Sequence, residues 1–254
     1  FYEANHGAAY ARNRAIEYSN GNLLAFLDSD DEWIPNKLAD QISVMQSHSE
    51  IDVLFTDFDN INELCGKMSR TFDQYAGVMK ALSVEKLGQD LFIVQEGILR
   101  SLAADNFIAT DTVMLRREVL DQVGDFNESL HNSEDFELWW RLGLSNAGFA
   151  YLDKVYMIRY KPAGSLSSFS SDNLVQRLNA LELCTAKAIE ANMPELAVSL
   201  KPQFRNAWQN LTTAFSKEHK NSEMFHAFIR SLDYGFRPGS IRLLVEGLFH
   251  LVKG

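Results

Sequence analysis

Two acidic clusters hold the side chains best suited to chemistry. The first is Asp28-Ser29-Asp30-Asp31-Glu32, directly after the apolar run Leu23-Leu24-Ala25-Phe26-Leu27. Carboxylates this close repel one another, and clustered oxygens suit a hard divalent ion such as Mg2+ or Mn2+. Asp28, Asp30 and Asp31 are therefore candidate metal ligands, although a solvated acidic turn ahead of a helix explains an arbitrary Asp-x-Asp-Asp as readily. The second cluster is Ser133-Glu134-Asp135, followed by Phe136-Glu137-Leu138-Trp139-Trp140-Arg141. With Ser133 as N-cap, Glu134 and Asp135 fall in a first helical turn whose positive end favours the ionised form. An ionised carboxylate at the mouth of a site can take a proton from an attacking hydroxyl, and helix-dipole stabilisation alone also accounts for acidic residues there.

The elements that must position these groups follow from periodicity. Residues 23–27 read as a buried strand, and in an open α/β sheet ligands bind at the carboxyl ends of strands. Residues 7–19 read as a helix with Ala8, Ala11, Ala15 and Tyr18 on one face and a left-handed stop at Asn20-Gly21. That helix carries Arg12, which is either a site cation or a surface partner of Glu17. Pro35 suits a first helical position, with Leu38, Ile42 and Met45 as the buried face. Residues 51–56 read as a strand ending in a turn at Asp57 and Asp59, then a hairpin pairs 58–61 with 68–72. Helices are expected over 83–92, 97–104 and 116–123, the last closed by Gly124, and strands over 107–115 and 149–160. Trp139, Trp140 and Leu142 belong in the core. From Asp172 onward the stripes are helical, with Pro202 dividing them. The segment 240–252 either docks on the domain or lies on a membrane surface, and Glu246 favours docking.

Composition excludes several classes. In 254 residues, 46% are hydrophobic and 23% charged, as in a globular chain long enough to bury a core. A net charge of −10 argues against nucleic acid as the main partner, because phosphate backbones need clustered Lys and Arg. Cys65 and Cys184 are far apart and lack metal-site spacing, so a disulfide framework is not expected and a reduced compartment fits. No apolar run reaches bilayer length, and the first residues show no signal core.

Taken in order, Asn5-His6-Gly7-Ala8-Ala9-Tyr10-Ala11-Arg12-Asn13, the strand, Asp28-Ser29-Asp30, Gly124-Asp125-Phe126-Asn127-Glu128, Glu134-Asp135 with Arg141, and Arg159 before Gly164-Ser165-Leu166-Ser167 resemble the inverting family 2 glycosyltransferases of the GT-A fold. The resemblance implies an α/β, Rossmann-like α/β/α sandwich over 1–168, lacking its first strands, with a C-terminal helical region over 169–254. Strands ahead of Asn5 are expected in the family, so the chain reads as a fragment. The resemblance also implies a nucleotide-sugar donor bound by Arg12, Asp28, Asp30, Arg159 and Lys161, with Mg2+ or Mn2+ on the aspartates. Asp135 becomes the candidate general base, with Glu134 beside it in the acceptor pocket. The acceptor would be a glycan, a lipid-linked glycan or another hydroxyl. The setting would be polysaccharide or lipopolysaccharide synthesis in the cytoplasm, with peripheral contact at the inner membrane face as an option. Two departures stand out: Asp125 replaces a common Gly, and Lys161 lies where many relatives have a metal-binding His. The competing readings are a nucleotidyltransferase of related fold and a catalytically silent glycan-binding or partner-binding module.

Overall fold

A run of buried residues sets the sheet. In the computed structural model, which describes residues 5–62, 67–161 and 170–235, residues 53–58 are all buried, as a strand covered on both faces requires. Expectations for Cys65 and the hairpin turn, the Lys161 side chain, the loop after it and the 240–252 segment lie outside the described residues. The elements in order are α1 (Ala8–Tyr18), β1 (Leu23–Ala25), β2 (Asp31–Trp33), α2 (Lys37–Ser47), β3 (Val53–Asn62), β4 (Lys67–Arg70), α3 (Thr71–Gln74) and α4 (Ala76–Met79). Then come β5 (Ser83–Leu87), β6 (Leu91–Glu96), α5 (Ile98–Ala104), a 3-10 turn (Thr110–Thr112), β7 (Met114–Arg116), α6 (Arg117–Val123), α7 (Glu134–Leu144) and β8 (Phe149–Lys161). Helices α8 (Ser171–Glu190), α9 (Pro194–Ser199), α10 (Lys201–Lys217) and α11 (Asn221–Leu232) follow. The fold is α/β with a C-terminal helical region. It divides into two units, Phe1–Ser129 with Glu134–Ala163, and Leu130–Ser133 with Gly164–Gly254.

The first unit holds one mixed sheet in the order β1-β7-β3-β8-β6-β5, with β2 also paired to β8 and β4 to β3. β3 and β8 run parallel, and the other pairings are antiparallel. Alternation along β3 divides the core. Leu54 joins Met45, Ile51, Met114, Ala150 and Leu152 in one cluster. Phe55 instead meets Phe72, Phe107 and Tyr151 at ring separations of 6.0, 5.8 and 5.6 Å. Trp139, Trp140 and Leu142 are fully buried on α7, as their apolar spacing requires.

Several sequence expectations are corrected. The 83–92 segment is a hairpin, not a helix: Ser83–Leu87 pairs antiparallel with Leu91–Glu96, Val84 standing opposite Val94 and Leu87 opposite Leu91, and Gly88 at φ 68 makes the turn. The strand from 51 does not end at Asp57. It continues to Asn62 through a register shift, where buried Asp57 accepts the Phe58 and Phe72 amides at 2.8 and 2.9 Å and pairs with Arg70 at 2.5 Å. The 107–115 run is broken by the 3-10 turn, leaving a strand only over β7. On α1 the buried residues are Ala9 and Ile16, while Tyr18 is exposed. The helix ends through Ser19 in an extended conformation, not through a left-handed Asn20-Gly21.

Helix α2 departs most. It starts at Lys37, after Asn36 at φ 72, so Pro35 lies outside it. Its buried residues are Lys37, Gln41 and Met45, whereas Leu38 and Ile42 are 41% and 37% exposed. The polar pair is accommodated because each group has a partner. Lys37 Nζ donates to Gln41 Oε1 at 2.7 Å and lies 4.3 Å from the centre of the Trp33 ring. Gln41 Nε2 donates to the carbonyls of Leu54 and Thr112 at 3.1 and 2.9 Å. Burial lowers the Lys37 pKa to about 7, against the opposing pull of Asp111.

In the second unit, Leu178, Leu181 and Cys184 of α8, Phe204, Ala207 and Leu211 of α10, and Met224, Ala227 and Phe228 of α11 supply buried helix faces. Ser170 caps α8 by accepting the Asn173 amide at 3.2 Å. Pro202 stands in the first turn of α10, where its missing N–H has no intrahelical partner to lose.

Two stability predictions follow from this packing. A Cβ at Gly148 would lie 1.9 Å from the Glu50 carbonyl oxygen, where β8 enters beside β3, so Gly148→Ala should destabilise by at least about 2 kcal/mol in denaturant titration. Lys37 has a folded pKa below its unfolded value, so the unfolded chain binds more protons between about pH 7 and 10 and stability rises with pH there. Lys37→Met should therefore raise the unfolding midpoint at pH 7, and its advantage should shrink by on the order of 2 kcal/mol by pH 9.5. A pH-independent difference would contradict this.

Candidate active site

Two adjacent arginines seat the helices that carry the site. Arg117 donates to the carbonyls of Ile16, Ser19 and Gly21 at 2.8–3.0 Å, covering the C-terminal end of α1. Arg116 does the same for α2, reaching the carbonyls of Met45, His48 and Ile51 at 2.6, 3.0 and 2.8 Å. Both satisfy orphan helix-end acceptors and place positive charge where the dipole is negative. Asn13 then clamps α1 to the 124–128 turn: its Nδ2 donates to the Phe126 carbonyl at 2.9 Å and its Oδ1 accepts the Phe126 amide at 3.0 Å. Arg141, one turn after Glu137 on α7, donates to the carbonyls of Gly124 and Asp125 at 2.7 Å each. Asp125 takes part through its backbone, so a side chain in place of glycine is accommodated there.

This framework points Arg12 between the two acidic clusters. Its Nη2 donates to both Asp28 oxygens at 2.8 and 2.9 Å, and its Nη1 to Glu134 Oε1 at 2.6 Å. The Phe126 ring lies 5.4 Å from the guanidinium carbon. Burial would lower the Arg12 pKa, but Asp28 above all, then Glu134 and Asp135, raise it overall. The surface pairing with Glu17 belongs to Arg14 instead.

Strand pairing builds the other side. Asp31 stands opposite Arg159 in the β2–β8 ladder, with Arg159 Nε 3.6 Å from its carboxylate. Burial first, then Asp111, Asp30 and Asp28, push the Asp31 pKa up to about 7, although Arg159 opposes them. Asp111, absent from the sequence-based candidates, accepts the Asp28 amide at 2.5 Å through Oδ1. Its Oδ2 is buried without a hydrogen-bond donor among the described residues and lies 3.9 Å from Arg159 Nη2. Burial and the Asp28 charge raise its pKa. Thr-Asp-Thr interrupting an apolar run was the only signal that could have found it.

Asp135 lies across the site. It lines a cleft of about 110 Å3 with Phe58, Asn60, Asn106, Phe107 and Arg159 among others. Asn106 Nδ2 donates to its two oxygens at 3.3 and 3.4 Å. Arg159 therefore faces the first acidic cluster and also lines the cleft holding Asp135. Ser133 adopts φ 64, not the extended backbone usual for an N-cap. Glu134 is buried, and burial followed by the Asp135 charge raises its pKa despite Arg12, which corrects the expectation that the helix end alone keeps it ionised.

The donor chemistry around Asp28, Asp31 and Asp111 suits a hard divalent cation, and the orphan Asp111 Oδ2 is an oxygen that a cation would satisfy. Among the described residues, however, no three such side chains converge on one point. Asp28 is engaged by Arg12 and Asp31 by Arg159, while Asp30 is exposed. Cation binding thus requires these ion pairs to yield. The structure brings Arg12, Asp28, Asp31, Arg159, Glu134 and Asp135 into one neighbourhood, with Asp30 at its rim.

Comparison with known proteins identifies the family. A family model described as "Glycosyltransferase like family 2" matches residues 2–178. WfaP of Escherichia coli, a UDP-Glc:alpha-D-GlcNAc-diphosphoundecaprenol beta-1,3-glucosyltransferase, is 28% identical over 195 residues, covering 72% of this chain and 62% of its own. WfgD, of the same named activity and species, is 48% identical over 63 residues, 24% of each chain. This chain thus spans less than two thirds of either relative. The crystal structure of S. aureus TarS shares the fold, with a TM-score of 0.53 at 17% identity over 92% of this chain and 42% of that one. Because one uninterrupted match takes in Arg12, both acidic clusters and Arg159, the chain belongs to the family 2-like glycosyltransferases.

Proposed function

We propose that the protein moves a sugar from a nucleoside-diphosphate sugar to a hydroxyl of a lipid-linked glycan, with inversion, during polysaccharide assembly at the cytoplasmic face of a membrane. The observation that carries this reading is the placement of Arg159, which faces Asp31 on the donor side and lines the cleft holding Asp135. The substrate classes follow the named activities of WfaP and WfgD and the UDP complex of TarS, whose TM-score is 0.52. No helix among the described residues is long and apolar enough to cross a membrane.

Arg12, Asp28, Asp30, Arg159 and Lys161 form the donor side in this proposal. Arg12 and Arg159 orient the diphosphate and offset its charge as it departs. A divalent cation on Asp30, with Asp28 or Asp31, would add Lewis-acid stabilisation of the leaving diphosphate when bound. Asp135 accepts the proton of the acceptor hydroxyl. That oxygen attacks the anomeric carbon as the bond from this carbon to the diphosphate oxygen breaks, so a single displacement inverts the centre. Asn106 holds the Asp135 carboxylate, and Glu134 keeps Arg12 in place.

Asp135→Asn in the full-length protein should lower transfer at least about 100-fold while leaving nucleoside-diphosphate binding intact. Asp28→Asn should weaken donor binding instead, measured by calorimetry with and without Mn2+. Unchanged turnover in Asp135→Asn, or a product with the donor's anomeric configuration by NMR, would reject the mechanism. Pyrophosphate release would indicate nucleotidyl transfer.

A further inference from the structure

Two asparagines that line the cleft beside Asp135 each have an amide oxygen with no donor among the described residues. Asn60 Nδ2 donates to Thr71 Oγ1 at 2.8 Å, and Asn106 Nδ2 donates to Asp135. The Asp135 carboxylate fixes which end of the Asn106 amide carries oxygen, since a flip would turn that oxygen toward a carboxylate, and the Asn60 amide is placed with its nitrogen on the Thr71 hydroxyl. The remaining Asn60 Oδ1 and Asn106 Oδ1 are both buried without a hydrogen-bond partner among the described residues, and both residues line the same cleft. A buried acceptor left unpaired is unfavourable, so two in one small cleft point to a ligand that brings donors. The terminal amide torsion is soft, and a modest rotation turns each oxygen toward an incoming group.

The rest of the lining narrows the ligand. Thr71, Gln74, Tyr75 and Arg159 bring polar groups to the same cleft, whereas Phe58 and Phe107 are buried in its wall, the Phe58 ring 4.7 Å from the Arg159 guanidinium carbon. A polar cleft that offers acceptors matches a saccharide, whose edge is lined with hydroxyl donors. The Asp57 strut explains why these residues meet: it accepts the Phe72 amide at 2.9 Å, seating α3 against β3, so Thr71 and Gln74 come beside Asn60.

Resting on the glycosyl-transfer reading, we infer that Asn60 and Asn106 are the specificity residues of the acceptor subsite. Each accepts a hydrogen bond from a different ring hydroxyl of the acceptor's terminal sugar while Asp135 addresses the hydroxyl that reacts. Asn106 thereby has two duties, holding Asp135 through nitrogen and the sugar through oxygen.

The test is binding of a panel of methyl glycosides (glucoside, galactoside, mannoside and N-acetylglucosaminide) to the full-length protein by ligand-observed NMR titration. At least one glycoside should bind, and Asn60→Leu and Asn106→Leu should each weaken it at least about tenfold. Asn60→Asp, which keeps an acceptor oxygen, should stay within about threefold. A monodeoxy glycoside lacking the partner hydroxyl should bind wild type more weakly than its parent, yet bind the matching Leu variant equally well, as coupling between one residue and one hydroxyl requires. Thermal unfolding verifies that the variants fold; if a Leu variant does not, Asn60→Asp and the deoxy series on wild type decide. Equal binding in both Leu variants, or no glycoside binding while a nucleoside diphosphate still binds, overturns the subsite and leaves the proposed function standing. Loss of both ligands overturns the proposed function as well.

Discussion

The site depends on one buried guanidinium shared by two carboxylates. Arg12 is bound to Asp28 on one side and Glu134 on the other, with only 11% of its side chain exposed. Neither carboxylate could occupy so acidic a neighbourhood without it, because Asp31, Asp111 and Asp135 crowd the same region and a buried charge needs a partner. Burial first, and then the neighbouring negative charges, raise the carboxyl pKa values of Asp31, Asp111 and Glu134. Added positive charge would relieve this crowding, so the electrostatics of the site favour an arriving cation.

Arg12 can hold this position because its helix is fastened at both ends of its task. Arg117 secures the C-terminal carbonyls, Asn13 locks onto the Phe126 backbone, and Arg141 ties that same turn to α7. α1 is thereby joined into one hydrogen-bonded assembly with segments more than a hundred residues away: Asn13 and Phe126 lie 113 positions apart. Side chains held by such supporting bonds stay within the narrow geometry that transfer chemistry needs.

Legibility in the sequence followed the strength of local patterning. The strands begun at 51–56 and 149–152, the helix closed by Gly124 and the amphipathic α7 were readable because burial and a glycine stop leave local traces. The 83–96 hairpin was missed because a short mixed run of Ser, Val, Glu, Lys and Leu satisfies helix spacing as well as strand spacing. Helix α2 was misread at its face: Leu38 and Ile42 look like core residues, yet Lys37 and Gln41 take the buried side because β3 and the 3-10 turn offer carbonyls that only a polar side chain can satisfy.

Residue type and order alone determined the chemical identities: Asp28, Asp30 and Asp31 in one cluster, Glu134 and Asp135 in another, basic residues nearby, and a family pattern connecting them. Tertiary structure alone decided the pairings. It set Arg12 against Asp28 and Glu134 instead of Glu17, put Asp31 across a strand from Arg159, brought in Asp111, and left Asn60 and Asn106, which line the cleft of Asp135, with oxygens unsatisfied among the described residues. The physical reason is range. Helix and strand periodicity reach only a few residues along the chain, whereas these contacts arise from sheet register and helix docking between segments 16 to 128 residues apart.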